Sequence, residues 1–362
     1  MCKTYIGNYG DLRIFRDTLA THNQHILATG KSGAGKTTAL RHLSKELQSC
    51  GHLVYFLDYS ESIPQNLPIL RQNILLHPYI TNTFNQHNSE QNAVSNLLCY
   101  SEMIANVWKL GCRQRNLVTE SLFRMDSLTP ESLLSSNRFT RLVSHENGCI
   151  SHDITALAYC LESHHTKECA MLADKFLDYA LITNSASHLR KQTLLEHKST
   201  PCFTVLEFPK SSQTLNTQIV DIFLWSLFFK YRDDKNLPPV TVICDEARLL
   251  NWSKTGIVSK IMNEGRKCKL NLVLATQSLT DELPKTALTS IMQADLHLAF
   301  APPITDQTII SKSIFGKPTA DNIAALSSLQ VGYCFARGYL CSERTPTFQQ
   351  TINIKIPYVK EC

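Results

Sequence analysis

The nine residues GKSGAGKTT, from Gly30 to Thr38, constrain the fold more than any other part of the chain. Three of the chain's 13 glycines fall within six positions, at Gly30, Gly33 and Gly35. Glycine is sparse elsewhere, so the local backbone needs it here. The stretch fits the pattern G-x-x-x-x-G-K-[ST], which Lys36 and Thr37 complete. Apolar Ile26–Ala28 precede it as a short strand. Leu40, Leu43 and Leu47 follow it on one helical face. In that setting successive backbone N–H groups form a concave nest for phosphate oxygens. The helix N-terminus adds partial positive charge. The expected nucleotide-binding residues are Gly30, Lys31, Ser32, Gly33, Ala34, Gly35, Lys36, Thr37 and Thr38. Lys36 can reach the β- and γ-phosphates, and the Thr37 hydroxyl can ligate Mg2+.

The rest of the chain alternates strands with helices, the pattern of an α/β sheet. Buried strands are expected at Leu53–Leu57, Phe203–Phe208, Val240–Cys244, Leu270–Ala275 and Leu296–Ala299. The tail PTFQQTINIKIP alternates polar and apolar residues and is expected to be an edge strand. An amphipathic helix is expected over about 213–231. From about 92 to 198 the apolar spacing turns helical. The expected organisation is therefore a sheet core from 1–91 and 199–362, with a helical insertion over 92–198. Within the insertion, 109–141 carries Lys109, Arg113, Arg115, Arg124, Arg138 and Arg141 against Glu120, Asp126 and Glu131. That face is either solvated or contacts phosphates.

A phosphate loop alone does not imply hydrolysis. In VTVICDEA a buried strand ends at Asp245 and Glu246. Asp245 is placed to hold the Mg2+ shell, and Glu246 to polarise an attacking water as general base. The bland alternative is a helix N-terminus decorated with acids. In LNLVLATQ another buried strand ends at Thr276 and Gln277. A Gln there can sense a γ-phosphate and orient water. Just upstream, Arg266 lies near the end of a helix in NEGRKCKLN. It either stays with its own subunit as a helix C-terminal charge or projects into a neighbour's nucleotide. Asp58, at the end of its strand, is expected to be structural or to back the site.

The order GKSGAGKTT, VICDEA, NEGRKCKLNLVLATQ resembles the FtsK–HerA superfamily of P-loop ATPases, and within it the HerA- and VirB4-like members. The resemblance covers roughly 1–90 and 200–362 and leaves the helical insertion unaccounted for. It implies a RecA-like P-loop NTPase core with a mostly parallel sheet flanked by helices. It implies a Mg2+-dependent ATPase, usually a hexameric ring with ATP at the subunit interfaces. Lys36 and Thr37 would then serve the phosphates and Mg2+, Asp245 and Glu246 form the acidic pair, Gln277 act as sensor, and Arg266 act in trans. Such rings move DNA, or support export of DNA or protein. No β-barrel, membrane helix or winged-helix reader is recognised in the sequence. Two cargoes therefore stay open: DNA that is translocated or remodelled, and a protein partner served by an assembly or switch subunit in secretion, conjugation or defence.

Composition narrows the surroundings. With 362 residues, 43% of them hydrophobic, the chain can bury a large core or a core and a second lobe. A net charge of +5 permits an anionic partner without demanding one. The longest apolar run, IVDIFLWSLFF at 219–229, is too short to span a membrane, is interrupted by Asp221 and Ser226, and reads as a buried helix. No apolar leader stands at MCKTYIGNYG, so a cytoplasmic protein without membrane insertion is expected. The 13 cysteines include no CxxC pair and are expected to be reduced thiols. In CLESHHTKEC, taken as one helix, Cys160/His164 and His165/Cys169 point to different faces and cannot share one tetrahedral Zn2+.

Overall fold

The structure is a computed structural model that describes residues 3–17, 24–59, 63, 70–76, 93–125, 154–190, 203–343 and 348–357. Arg138, Arg141, Asp126 and Glu131 of the basic stretch lie outside them. By its contacts the chain divides into two units, the first being 1–72, 198–208 and 231–362, the second 73–197 and 209–230.

The first unit carries the sheet. Its strands are β1 (Lys3–Tyr9), β2 (Leu12–Asp17), β3 (Ile26–Thr29), β4 (Leu53–Asp58), β5 (Leu70–Asn73), β6 (Phe203–Glu207), β7 (Val240–Cys244), β8 (Leu270–Thr276), β9 (Leu296–Ala299), β10 (Tyr333–Ser342) and β11 (Phe348–Lys355). Their order is β11-β1-β2-β10-β9-β3-β8-β7-β4-β6-β5. The run from β9 through β3, β8, β7 and β4 to β6 is parallel. Central β3, β7 and β8 are buried on both faces, which suits their unbroken apolar sequences. The result is a mixed α/β fold with a mostly parallel sheet flanked by helices, as expected.

The other end of the sheet departs from expectation. β1 and β2 form a hairpin through Gly10, whose φ is +56°. β10 pairs antiparallel with β9, β2 and β11, and β11 also pairs with β1. The tail is therefore not an edge strand: it has a partner on each side and closes a four-stranded loop with β10, β2 and β1. Buried Arg16 ties this region to the parallel sheet, donating to the Gln24 carbonyl at 3.0 Å and to Asp295 at 3.2 Å.

The helices are α1 (Lys36–Ser49), α2 (Ala93–Val107), α3 (Cys112–Met125), α4 (Ile154–Ser163), α5 (Lys167–Arg190), α6 (Gln213–Asp233), α7 (Ile257–Glu264), α8 (Leu279–Glu282), α9 (Lys285–Ile291), α10 (Gln307–Phe315) and α11 (Ala320–Ser327). α2 to α5 and most of α6 make up the second unit. There Trp108 meets Phe176 and Tyr179 edge-on, with ring centroids 4.9 and 5.6 Å away. Ile219–Phe229 of α6 is buried at every position, including Asp221 and Ser226, as expected for the apolar run, so the helix is not amphipathic there as its wider span 213–231 suggested. A helix apolar all round is a buried one.

CLESHHTKEC is not one helix. α4 ends at Ser163, α5 begins at Lys167, and His165 between them takes φ +55°. Cys160 and Cys169 are buried thiols, and no metal-holding cluster of His, Cys, Asp or Glu occurs among the described residues. Eight described cysteines are thiols outside any disulfide, but Cys50 is disulfide-bonded, against the expectation of reduced thiols. It stands just past α1, where the start of β1 comes close: Thr4 Oγ1 lies 3.9 Å from its sulfur. No helix among the described residues is long and apolar enough to cross a membrane.

Candidate active site

The parallel strands all end on one edge of the sheet, and there the chain gathers its polar residues. β3 runs into the glycine loop, which turns into α1 at Gly35, where φ is +108°. Gly30 is required by space: a Cβ there would stand 2.6 Å from the Phe300 Cβ. The loop is tied down by Lys31 N–H donating to the Ala301 carbonyl at 2.9 Å. Phe300 and Ala301, which follow β9, thus back the phosphate loop.

The loop, the acidic pair and the polar strand end come together around one cleft of about 340 Å3. Ser32, Gly33, Gly35, Lys36, Thr37, Thr38, Asp245, Glu246 and Gln277 line it, together with Val331. Gly30, Lys31 and Ala34 belong to the same loop but are not among the lining residues. The Thr37 hydroxyl donates to Asp245 Oδ2 at 2.7 Å, across 208 residues of sequence. A hydroxyl and a carboxylate so placed are the oxygen donors a hard cation such as Mg2+ takes. The Lys36 ammonium folds back on its own loop, donating to the Gly30 carbonyl at 2.6 Å and the Lys31 carbonyl at 3.0 Å. An ATP phosphate could replace those carbonyls.

Charge in the cleft is held under strain of desolvation. Burial pushes the Asp245 carboxyl above its ordinary pKa; Thr37 and Lys36 oppose this, while Glu246 and Asp58 add to it. Burial lowers the Lys36 pKa, against the pull of Asp245 and Glu282. Crowded carboxylates around one hydroxyl make a place where a divalent cation relieves repulsion. Asp58, buried at the end of β4, accepts from Ile63 N–H at 3.2 Å.

Three groups escaped the sequence reading. Arg248 grips Glu246 Oε2 through Nε at 3.1 Å and Nη2 at 2.8 Å, so the general-base candidate is held in an ion pair. Glu282 Oε2 accepts from Thr276 Oγ1 at 2.7 Å and from Gln277 N–H at 3.0 Å, fixing the end of β8 that presents Gln277. The third is Val331. The sequence marks Asp281 rather than Glu282: Ser278 caps α8 by accepting from Asp281 N–H at 3.1 Å, an S-x-x-D turn. Nothing in the sequence marks which way Arg248 turns.

Arg266 is not brought to the cleft. It is exposed in a short 3-10 turn, Gly265–Cys268, before β8, while Gln277 follows β8 at its other end. Seven residues of strand separate the two by roughly 20 Å.

No family model matches the chain, and no curated protein sequence matches it. Solved structures do. The chain shares its fold with VirB4 and with the coupling protein TrwB. VirB4 of Thermoanaerobacter pseudethanolicus superposes with a TM-score of 0.61 at 12% identity, over 93% of this chain and 90% of that one. The bacterial conjugative coupling protein TrwBdeltaN70, in its trigonal form with sulphate, gives 0.56 at 14% identity, over 93% and 86%. The plasmid coupling protein TrwB in complex with ADP and Mg2+ gives 0.55 at 15% identity, over 96% and 91%. The likeness at 12–15% identity is one of fold.

Proposed function

We propose that this chain is an ATP-hydrolysing motor subunit of the FtsK–HerA superfamily that acts on DNA. The observation that carries the reading is the Thr37–Asp245 hydrogen bond of 2.7 Å, which joins the phosphate loop to the acidic pair in one cleft with Gln277. In this reading the loop amides and Lys36 hold the triphosphate, and Thr37 and Asp245 hold Mg2+. The metal supplies charge neutralisation on the phosphates when bound. Glu246, released from Arg248, takes the proton of the attacking water, and Gln277 orients that water. The fold shared with VirB4 and TrwB supports the class.

The 1–91 and 199–362 segments act as the motor core in this proposal, with the helical insertion set into it. The cargo is the open part. Of the described cations in the basic stretch, Arg113 pairs with Glu168 at 2.9 Å and Arg124 with Glu120 at 2.6 Å. Those pairs favour a solvated face, which keeps alive a second reading, an ATP-dependent switch subunit acting on a protein partner. ATP turnover measured without nucleic acid and with single-stranded DNA, double-stranded DNA or RNA separates the two. DNA is expected to stimulate turnover, and Lys36→Ala to abolish it. Turnover indifferent to DNA, with no DNA bound at low salt, would remove DNA as the cargo.

A further inference from the structure

We propose that the turn Gln330–Tyr333 receives the nucleoside end of the bound nucleotide, with Val331 as its apolar contact. The inference rests on the cleft being a nucleoside triphosphate site, and it adds a direction to that site. Along the sheet edge the order is the turn before β10, then β9, the phosphate loop of β3, Gln277 of β8, and Asp245 with Glu246 of β7. The hydrolytic groups all lie on the β8–β7 side of the loop. A nucleoside triphosphate is a chain with the reacting phosphate at one end and the nucleoside at the other. Its γ-phosphate belongs beside Asp245 and Gln277, so its nucleoside leaves towards β9 and β10.

What waits there differs in chemistry from the rest of the cleft. Val331 is the one branched apolar side chain among the lining residues, and it stands 75% exposed. Phosphate has no use for a valine. The face of a base or a ribose ring does. The turn is also fixed to the phosphate loop rather than merely near it. Gly332 N–H donates to the Ala34 carbonyl at 3.1 Å, and a Cβ on Gly35 would stand 3.1 Å from Gly332 Cα. Tyr333 N–H closes the turn on the Gln330 carbonyl at 3.1 Å, with Gly332 at φ +83°. Ile356 N–H holds the Gly332 carbonyl at 2.8 Å. Val331 is thus presented on a braced turn, at a set distance from where phosphates bind.

The test compares two probes on the full chain by titration calorimetry with Mg2+: ATP, and inorganic tripolyphosphate, which lacks the nucleoside. Val331→Ser is expected to weaken ATP about five- to tenfold, the effect of losing part of one apolar side chain's burial. It is expected to leave tripolyphosphate within twofold of wild type. Val331→Leu, which restores apolar surface, is expected to bind ATP within twofold of wild type. Lys36→Ala is expected to weaken both probes. ATP affinity unchanged in Val331→Ser, or tripolyphosphate weakened by the same factor as ATP, would overturn the inference while leaving the triphosphate site intact. A wild-type chain that binds neither probe, well folded by melting, would overturn the site itself and this inference with it.

Discussion

At the scale of single residues, the fold depends on polar side chains whose partners are set by protonation. His25 precedes β3 and is 1% exposed. Its Nδ1 accepts from Leu272 N–H at 2.9 Å, which leaves Nε2–H to donate to the Ile261 carbonyl at 3.0 Å. Only the neutral ring satisfies both. A proton on Nδ1 would face the Leu272 N–H. Burial accordingly lowers the His25 pKa from 6.5 to about 4; the Ile261 carbonyl opposes this and Arg16 adds to it. Between those two values the unfolded chain binds a proton that the folded chain refuses. Stability is therefore complete above pH 6.5 and is lost as pH falls towards 4. A shift of that size corresponds to roughly 3 kcal/mol at the foot of the window. Buried His42 and His52 carry shifts of the same direction. His25→Gln isolates one contribution. Its melting temperature is expected to lie below wild type at pH 7 and to converge on it by pH 4.5. A gap of constant size across that range would show that His25 does not titrate in this way.

At the scale of elements, each motif-bearing strand was legible because it is central. β3, β7 and β8 are buried on both faces, so their apolar runs are unbroken and the polar residues at their ends stand out. The outer strands were harder. The Gly10–Asp11 turn between alternating segments is a hairpin signal, but β1 and β2 are short and mixed in polarity. β11 has the alternation of an edge strand, and only the closure with β1 and β10 gives it a second partner. In α6 the apolar run 219–229 marks burial on every face, whereas a periodicity over 213–231 measures only one face and misses it. The phosphate loop and acidic pair were found from residue type and spacing. Their supports were not, since Glu282 and Arg248 act through directions that a sequence does not carry. The short helix α8 gives a test of such support. It folds back after β8 so that Glu282 holds Thr276 and Gln277 in place. Glu282→Ala removes an acceptor shared by a side chain and a backbone N–H, without removing any group placed on the nucleotide. Turnover is expected to fall at least tenfold with ATP affinity kept within about threefold, because the loss falls on orientation of Gln277. Equal losses in both quantities would place Glu282 in binding, through its field on Lys36.

At the scale of the whole molecule, the position of Arg266 decides how many chains one site needs. Within one chain the arginine and Gln277 sit at opposite ends of β8, roughly 20 Å apart. A guanidinium reaches about 7 Å beyond its Cα, so Arg266 cannot reach the phosphates its own Lys36 would hold. It either contributes nothing to hydrolysis or completes the cleft of another copy. Two variants distinguish these cases. Glu246→Gln removes the general-base candidate but keeps Arg266. Arg266→Ala keeps Glu246 but removes the arginine. Each alone is expected to turn over ATP at least a hundredfold more slowly than wild type, the order of loss expected for a transition-state arginine or a base. Mixed in equal amounts with ATP and Mg2+, and given time to exchange subunits, they are expected to form some interfaces that unite an intact Glu246 cleft with an intact Arg266. Those interfaces are expected to restore a measurable fraction of wild-type turnover, and light scattering should show the assembled species that carries it. If Arg266→Ala alone is fully active, the arginine has no part in hydrolysis. If both variants are dead, assemble and exchange subunits, yet their mixture stays dead, Arg266 serves the fold of its own chain. Recovery in the mixture has one physical source: a site built from two chains, with the energy of ATP released where one subunit meets the next.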